Sequence, residues 1–208
     1  MMDHLMLIGT PGCGRTLYAR SLVNSPAAIK HTVACEGGIS ALYRAAGLEA
    51  PKPLVVPFRA PHHTVSEVGM TGMLRNGYSV HPGELSLAHG GVLFLDEAAE
   101  FRTSVLEHVL LALTGEVELY GTRGTRVILP AQFRLVLATH PCPCGYFGAK
   151  ARDVGRKCQC TEDQRKQYLV RLDAFREHCR VLEEPEIREK AAELTRAAAY
   201  ILGTSRVV

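Results

Sequence analysis

Short apolar runs alternate with stretches of helical spacing along most of this chain. Leu5-Met6-Leu7-Ile8 is halted by Gly9, which predicts a buried strand entering a turn, and Leu17 to Val23 then repeats at helical spacing. Gly91 to Asp96 predicts a second buried strand. After it, Ser104 and Glu107 read as a capping box opening a helix with Val105, Leu106, Val109, Leu110 and Leu113 inward. Glu116 to Tyr120 and Arg126 to Leu129 flank a glycine-containing turn and predict a β-hairpin, and Phe133 to Ala138 predicts a third buried strand. Strands that are apolar throughout must be covered on both faces, so this order implies a parallel sheet between helices. The tail carries one pattern: Ile187, Ala191, Leu194, Ala198 and Ile201 recur at helical spacing after Pro185, an amphipathic helix.

A length of 208 residues bounds this to one ordinary domain with a sizeable core. No run approaches the length of a membrane span and no secretory leader is legible, so the expected location is the cytosol, with no membrane partner. The net charge of +3 comes from 24 dispersed basic residues, which neither points to nucleic acid nor excludes it. Seven cysteines argue for thiols or metal ligands over a disulfide framework.

Gly9-Thr10-Pro11-Gly12-Cys13-Gly14-Arg15-Thr16 fits the Walker A pattern except that Arg15 stands where lysine is expected. Glycines let successive backbone N–H groups turn toward phosphates at a helix N-terminus, and Thr16 would offer its hydroxyl to Mg2+. Arg15 keeps the charge but exchanges a compact ammonium for a wide planar fork. Val92-Leu93-Phe94-Leu95-Asp96-Glu97 supplies the acidic partner, Asp96 toward Mg2+ and Glu97 toward an attacking water. Alone, the first element could be a plain glycine turn and the second an acidic pair at a helix start. Together, in this order, they predict binding of ATP with Mg2+.

With Pro57-Phe58-Arg59-Ala60-Pro61-His62-His63-Thr64, Pro82-Gly83-Glu84-Leu85-Ser86-Leu87-Ala88-His89 and Pro141-Cys142-Pro143-Cys144-Gly145-Tyr146 also in order, the chain resembles the magnesium-chelatase-like AAA+ ATPases of the ComM/YifB type. The resemblance covers residues 5–181. It implies an AAA+ P-loop NTPase fold, three-layer αβα with a parallel sheet and an inserted β-hairpin. It also implies assembly into a hexameric homo-oligomeric ring, with activity related to DNA branch migration. On this reading residues 1–181 form the nucleotide-binding core, including a cysteine-rich loop at 142–160, and 182–208 a short C-terminal helix in place of a full lid. Three positions depart from the family: Arg15 replaces the Walker lysine, His140 the sensor asparagine, and Ala174 in Leu172-Asp173-Ala174-Phe175 the arginine finger. Glu97 and His140 are the catalytic candidates. The departures predict binding with weak hydrolysis; the alternative is a non-catalytic nucleotide-binding or assembly module, a pseudo-ATPase or truncated copy.

Cys142 and Cys144 with Cys158 and Cys160 form two Cys-x-Cys pairs, a donor set that suits tetrahedral Zn2+, with free thiols as the alternative. Such a site would be structural, since four sulfurs leave no open coordination position. His62, His63, His81 and His89 lack metal-ligand spacing and read as exposed or hydrogen-bonded side chains. Cys13 reads as a small residue at a variable loop position. Arg123 and Arg126 lie near the tip of the hairpin, where basic groups could follow a DNA backbone, although solvation is the commoner role of such charges.

Overall fold

A computed structural model describes residues 3–50, 52–76, 79–148 and 157–204. β1 (His4–Ile8) leads through the glycine-rich loop into α1 (Arg15–Ser21), followed by α2 (Pro26–Ala34) and α3 (Glu36–Ala45). β2 (Phe58–Arg59), α4 (Glu67–Thr71) and a hairpin of β3 (Gly72–Arg75) and β4 (Ser79–Pro82) precede α5 (Glu84–Leu87) and β5 (Val92–Leu95). α6 (Thr103–Ala112), a second hairpin of β6 (Glu116–Tyr120) and β7 (Arg126–Pro130), and β8 (Arg134–Thr139) come next. α7 (Glu162–Val170), β9 (Cys179–Glu183) and α8 (Glu184–Thr204) complete the order.

The five-stranded sheet runs β2-β5-β8-β1-β9 with every neighbouring pair parallel. Side chains alternate across a strand, and the two sets reach different clusters. Met6, Leu93, Leu95, Leu135 and Leu137 pack with Val105, Leu106 and Val109 of α6 and with Leu172 and Phe175. The intervening Leu5, Leu7, Val92, Phe94, Val136 and Ala138 pack with Ala19, Leu22 and Ile187. Helices cover both faces, and the result is the three-layer αβα P-loop fold with an inserted hairpin.

The structure differs from the sequence reading in two places. Ser104 and Glu107 make no capping box: α6 begins at Thr103, Arg102 is its N-cap, and no side chain caps it. A capping box does form at Thr161 with Gln164, at the start of α7. The boundary set at Val181 falls inside β9, which pairs with β1 from His4 opposite Cys179 to Ile8 opposite Glu183. β9 is an edge strand with charged residues between its apolar ones, so it lacks the continuous apolar run that marks the central strands.

Candidate functional site

The parallel sheet brings the C-terminal ends of β1, β5 and β8 together, the edge where open α/β sheets take their ligands. Gly12 and Gly14 of the loop after β1 have φ of 76° and 100°, a left-handed backbone in which a side chain is strained. Gly14 is the N-cap of α1, and a Cβ there would meet Ala191 of α8 at 2.5 Å. Thr16 Oγ1 donates to Asp96 Oδ2 at 3.4 Å, across 80 residues of sequence. A hydroxyl and a carboxylate facing each other beside a phosphate loop fit the donor set of a magnesium site. Glu97 also holds a left-handed backbone, φ 53°, which costs a non-glycine residue about 1–2 kcal/mol. Its Oε2 lies 3.4 Å from His63 Nδ1, so His63 joins the site rather than merely facing solvent.

Arg15 turns away from the mouth of the loop. Its side chain is 9% exposed, and Nη1 donates to the carbonyl oxygens of Gly9, at 3.0 Å, and of Thr139. Nη2 faces His140 Nε2 at 3.4 Å, while His140 Nδ1 lies 3.3 Å from the Gly9 carbonyl. Burial, with the Arg15 charge next, lowers the His140 pKa, so the ring is neutral, its Nδ1–H donating to Gly9 and its Nε2 accepting from Arg15. The two unusual residues therefore satisfy each other beneath the loop. Cys13 is buried and its thiol pKa is raised, chiefly by burial, so it is no activated nucleophile.

Beyond Thr139 the chain enters the cysteine segment. Cys142, Cys144, Cys158 and Cys160 place their sulfurs within 4.8 Å of one another, with Cys142 Sγ 3.3 Å from Cys144 Sγ and 3.7 Å from Cys158 Sγ. Tetrahedral zinc with Zn–S of about 2.3 Å requires sulfurs about 3.8 Å apart, so four thiolates can close on one ion with small adjustments. Burial pushes Cys142 up to about 12, whereas a hydrogen bond from the Tyr146 N–H leads the fall of Cys144 to about 6. Residues 149–156, including Gly155 between the pairs, lie outside the described residues.

The full span of these features has a counterpart. Residues 2–177 match the family described as magnesium chelatase, subunit ChlI. The chain belongs to the magnesium chelatase family. Its relatives include YifB of Escherichia coli, 36% identical over 171 residues, and ComM, a competence protein of Haemophilus influenzae, 32% identical over 169. An uncharacterised protein of Mycobacterium tuberculosis is 38% identical over 173 residues. Each alignment covers 81% of this chain but only 31–32% of the relative, so the chain spans about a third of their length. Among solved structures, NtrX of Brucella abortus in complex with ADP aligns at 18% identity with a TM-score of 0.49, over 87% of this chain and 31% of NtrX, too distant a likeness to bear on function.

Two further features of this magnesium-chelatase-like chain bear on the site. Ala174 is exposed, and neither neighbouring arginine stands free: Arg171 donates to the Phe101 carbonyl and Arg176 pairs with Asp173. Glu184, which the sequence did not single out, accepts from the Thr10 N–H at 2.8 Å, and Arg188 bonds Glu184 at 2.7 Å. Burial alone would raise the Glu184 pKa; the hydrogen bonds from Thr10 and Arg188 outweigh it and hold the carboxylate below its ordinary range. On the β6–β7 hairpin, Arg126 is engaged by Glu118, and the Arg123 side chain lies outside the described residues. Among the described residues no helix is long and apolar enough to cross a membrane.

Proposed function

We propose that this chain is an ATP- and Mg2+-binding AAA+ module with slow turnover, part of a cytosolic ring-forming motor related to DNA branch migration. The observation that carries the reading is the Thr16 hydroxyl facing Asp96 beside the phosphate loop. Gly12 and Gly14 give the loop the backbone that turns N–H groups toward an anion at the start of α1. Thr16 and Asp96 would hold the Mg2+, and that ion would supply charge neutralisation at the phosphate oxygens. Glu97 accepts the proton of the attacking water, with His63 fixing its carboxylate. Zn2+ is the structural ion assigned to the four cysteines. A hexameric ring and DNA contact near Arg123 and Arg126 belong to the same reading, which follows the family rather than a feature of this chain.

Slow turnover is supported by three residues. Arg15 spends its guanidinium on Gly9 and Thr139, His140 spends both ring nitrogens on Gly9 and Arg15, and Ala174 offers no cation. A lost finger alone is worth about 10³ in rate. The inward Arg15 also favours a second reading, a nucleotide-holding assembly module without hydrolysis. Calorimetry should show ATP·Mg2+ binding, weakened by Thr16→Ala or Asp96→Ala, and steady-state turnover below about one per minute. Absence of binding at millimolar ATP sinks the nucleotide reading. Turnover of several per second that Glu97→Gln abolishes would discard slow hydrolysis and assign the finger to Arg171 or Arg176.

A further inference from the structure

The cysteine pairs occupy two positions that the rest of the fold leaves poorly fastened. Cys142 lies two residues beyond His140 at the end of β8, and Cys160 directly precedes Thr161, the N-cap of α7. α7 buries none of its side chains. Burial is the usual source of helix stability in a protein, and nine residues are too few for a helix to persist on propensity alone. The N-terminal half of α7 is held by local links: the capping box, an exposed Lys166–Glu162 pair, and Arg165, which donates to the Cys160 carbonyl at 3.0 Å and stacks on Phe147 at 4.1 Å; its C-terminal half is held by Tyr168, half-buried against the core, and by Arg171 on the Phe101 carbonyl. None of the local links ties the first turn of α7 to the sheet.

That first turn matters for the phosphate loop, which leaves β1 at the same edge of the sheet where β8 ends. Ile8 from β1, Gly9 at the start of the phosphate loop, Pro141 and Phe147 from the cysteine segment, Arg165 from α7 and Arg188 from α8 line one groove of about 1300 Å³. One wall of that groove is thus built from the segment the cysteines bracket.

We propose that a zinc ion bound by Cys142, Cys144, Cys158 and Cys160 clamps the end of β8 to the start of α7 and so sets the wall of the nucleotide groove. Binding exchanges the four thiol protons for one Zn2+ with no change of oxidation state, and the closed four-sulfur shell leaves the ion no substrate position. The Arg165 side chain beside Cys160 offsets part of the anionic charge the centre gains. The consequence for nucleotide rests on the ATP reading above; the clamp itself does not.

The test uses the whole chain, purified in reducing, chelator-free buffer. Elemental analysis should find about one zinc per chain. Zinc is then stripped with a mercurial and chelator and restored with ZnCl2, while hydrogen exchange is followed by mass spectrometry and ATP·Mg2+ affinity by calorimetry. Stripping should raise exchange across residues 139–148 and 161–170 but leave residues 5–8 and 92–95 protected, and weaken ATP by about tenfold, both reversed by zinc. Because serine variants can misfold, Cys144→His, which keeps a ligand at an exposed position, should retain zinc where the double Cys144→Ser, Cys160→Ser variant loses it. No zinc in the purified chain, together with no thiolate absorption on Co2+ titration, overturns the metal. Zinc present but exchange unchanged on stripping overturns the clamp. Exchange that responds while ATP fails to bind in either form supports the clamp and overturns the nucleotide reading instead.

Discussion

The strand β8 and the cysteine segment that follows it are consecutive in sequence and held together by different physics. Leu135, Val136, Leu137 and Ala138 are wholly buried between two helical layers, so their positions follow from area removed from water, about 1.5–3 kcal/mol for each large side chain. The cysteine segment and α7 bury far less, chiefly Cys142 and Gly145 with Tyr168 half-buried against the core, and their order leans on polar links and four clustered thiols. Apolar burial is cooperative and non-directional, whereas a sulfur cage is local and chemical. A perturbation in the first should therefore melt the molecule, and one in the second should loosen a wall of the site while the sheet stays intact.

The largest effect is expected from Leu137→Ala, which leaves a cavity between sheet and helices and should cost about 3 kcal/mol in a urea melt, with all parts unfolding together. Separate transitions for sheet and α7 would mean the two regions are less coupled than adjacency suggests. Next, Arg15→Ala removes the donor to Gly9, Thr139 and His140 and should cost about 2 kcal/mol. A cycle of Arg15→Lys with His140→Asn should show a coupling of about 1 kcal/mol, and additivity would mean the two residues do not act as a pair. Smaller again is Thr161→Ala, which deletes the cap of α7 for about 1 kcal/mol. It should speed exchange within α7 and leave the global melting temperature alone; a global shift would make α7 part of the core.

The smallest effect is a graded loss on acidification. His4 Nδ1 accepts from the Leu135 N–H and His89 Nδ1 from the Gln132 N–H, and burial leads the lowering of both pKa values. Folded pKa values below the unfolded ones mean the unfolded chain binds more protons. The histidines' contribution is therefore complete above about pH 6.5 and is lost as pH falls below it. Melting temperatures from pH 7.5 to 5.5 should show the decline, and His89→Gln should flatten it.

What could be read from the sequence divides along the same physical lines. Thr16, Asp96 and the central strands were legible because a phosphate loop and an apolar run are local patterns. The four cysteines were legible as a set, but their position as a bracket around β8 and α7 was not, since it depends on where the sheet ends. The direction of Arg15 was hidden because its partners Thr139 and His140 are about 125 residues away in sequence. Glu184 was invisible for the same reason, meeting Thr10 across 174 residues. Ser104 and Glu107 show the opposite failure, a local pattern with correct spacing that tertiary packing overrode by starting α6 at Thr103. His63 was read only as an exposed or hydrogen-bonded side chain, because nothing in its neighbours reveals that Glu97 adopts a left-handed backbone beside it.

The bond between Glu184 and Thr10 makes α8 a lever. The helix is rooted through its first turns, where the Glu184 carboxylate grips the phosphate loop, Ile187 enters the core and Ala191 abuts Gly14, and its 21 residues span about 30 Å. A tilt of about 10° at the root carries the far end of such an arm through about 5 Å, and the relation runs equally in reverse. The position of the distal turns of α8 is therefore tied geometrically to the phosphate loop through Glu184 and Ala191.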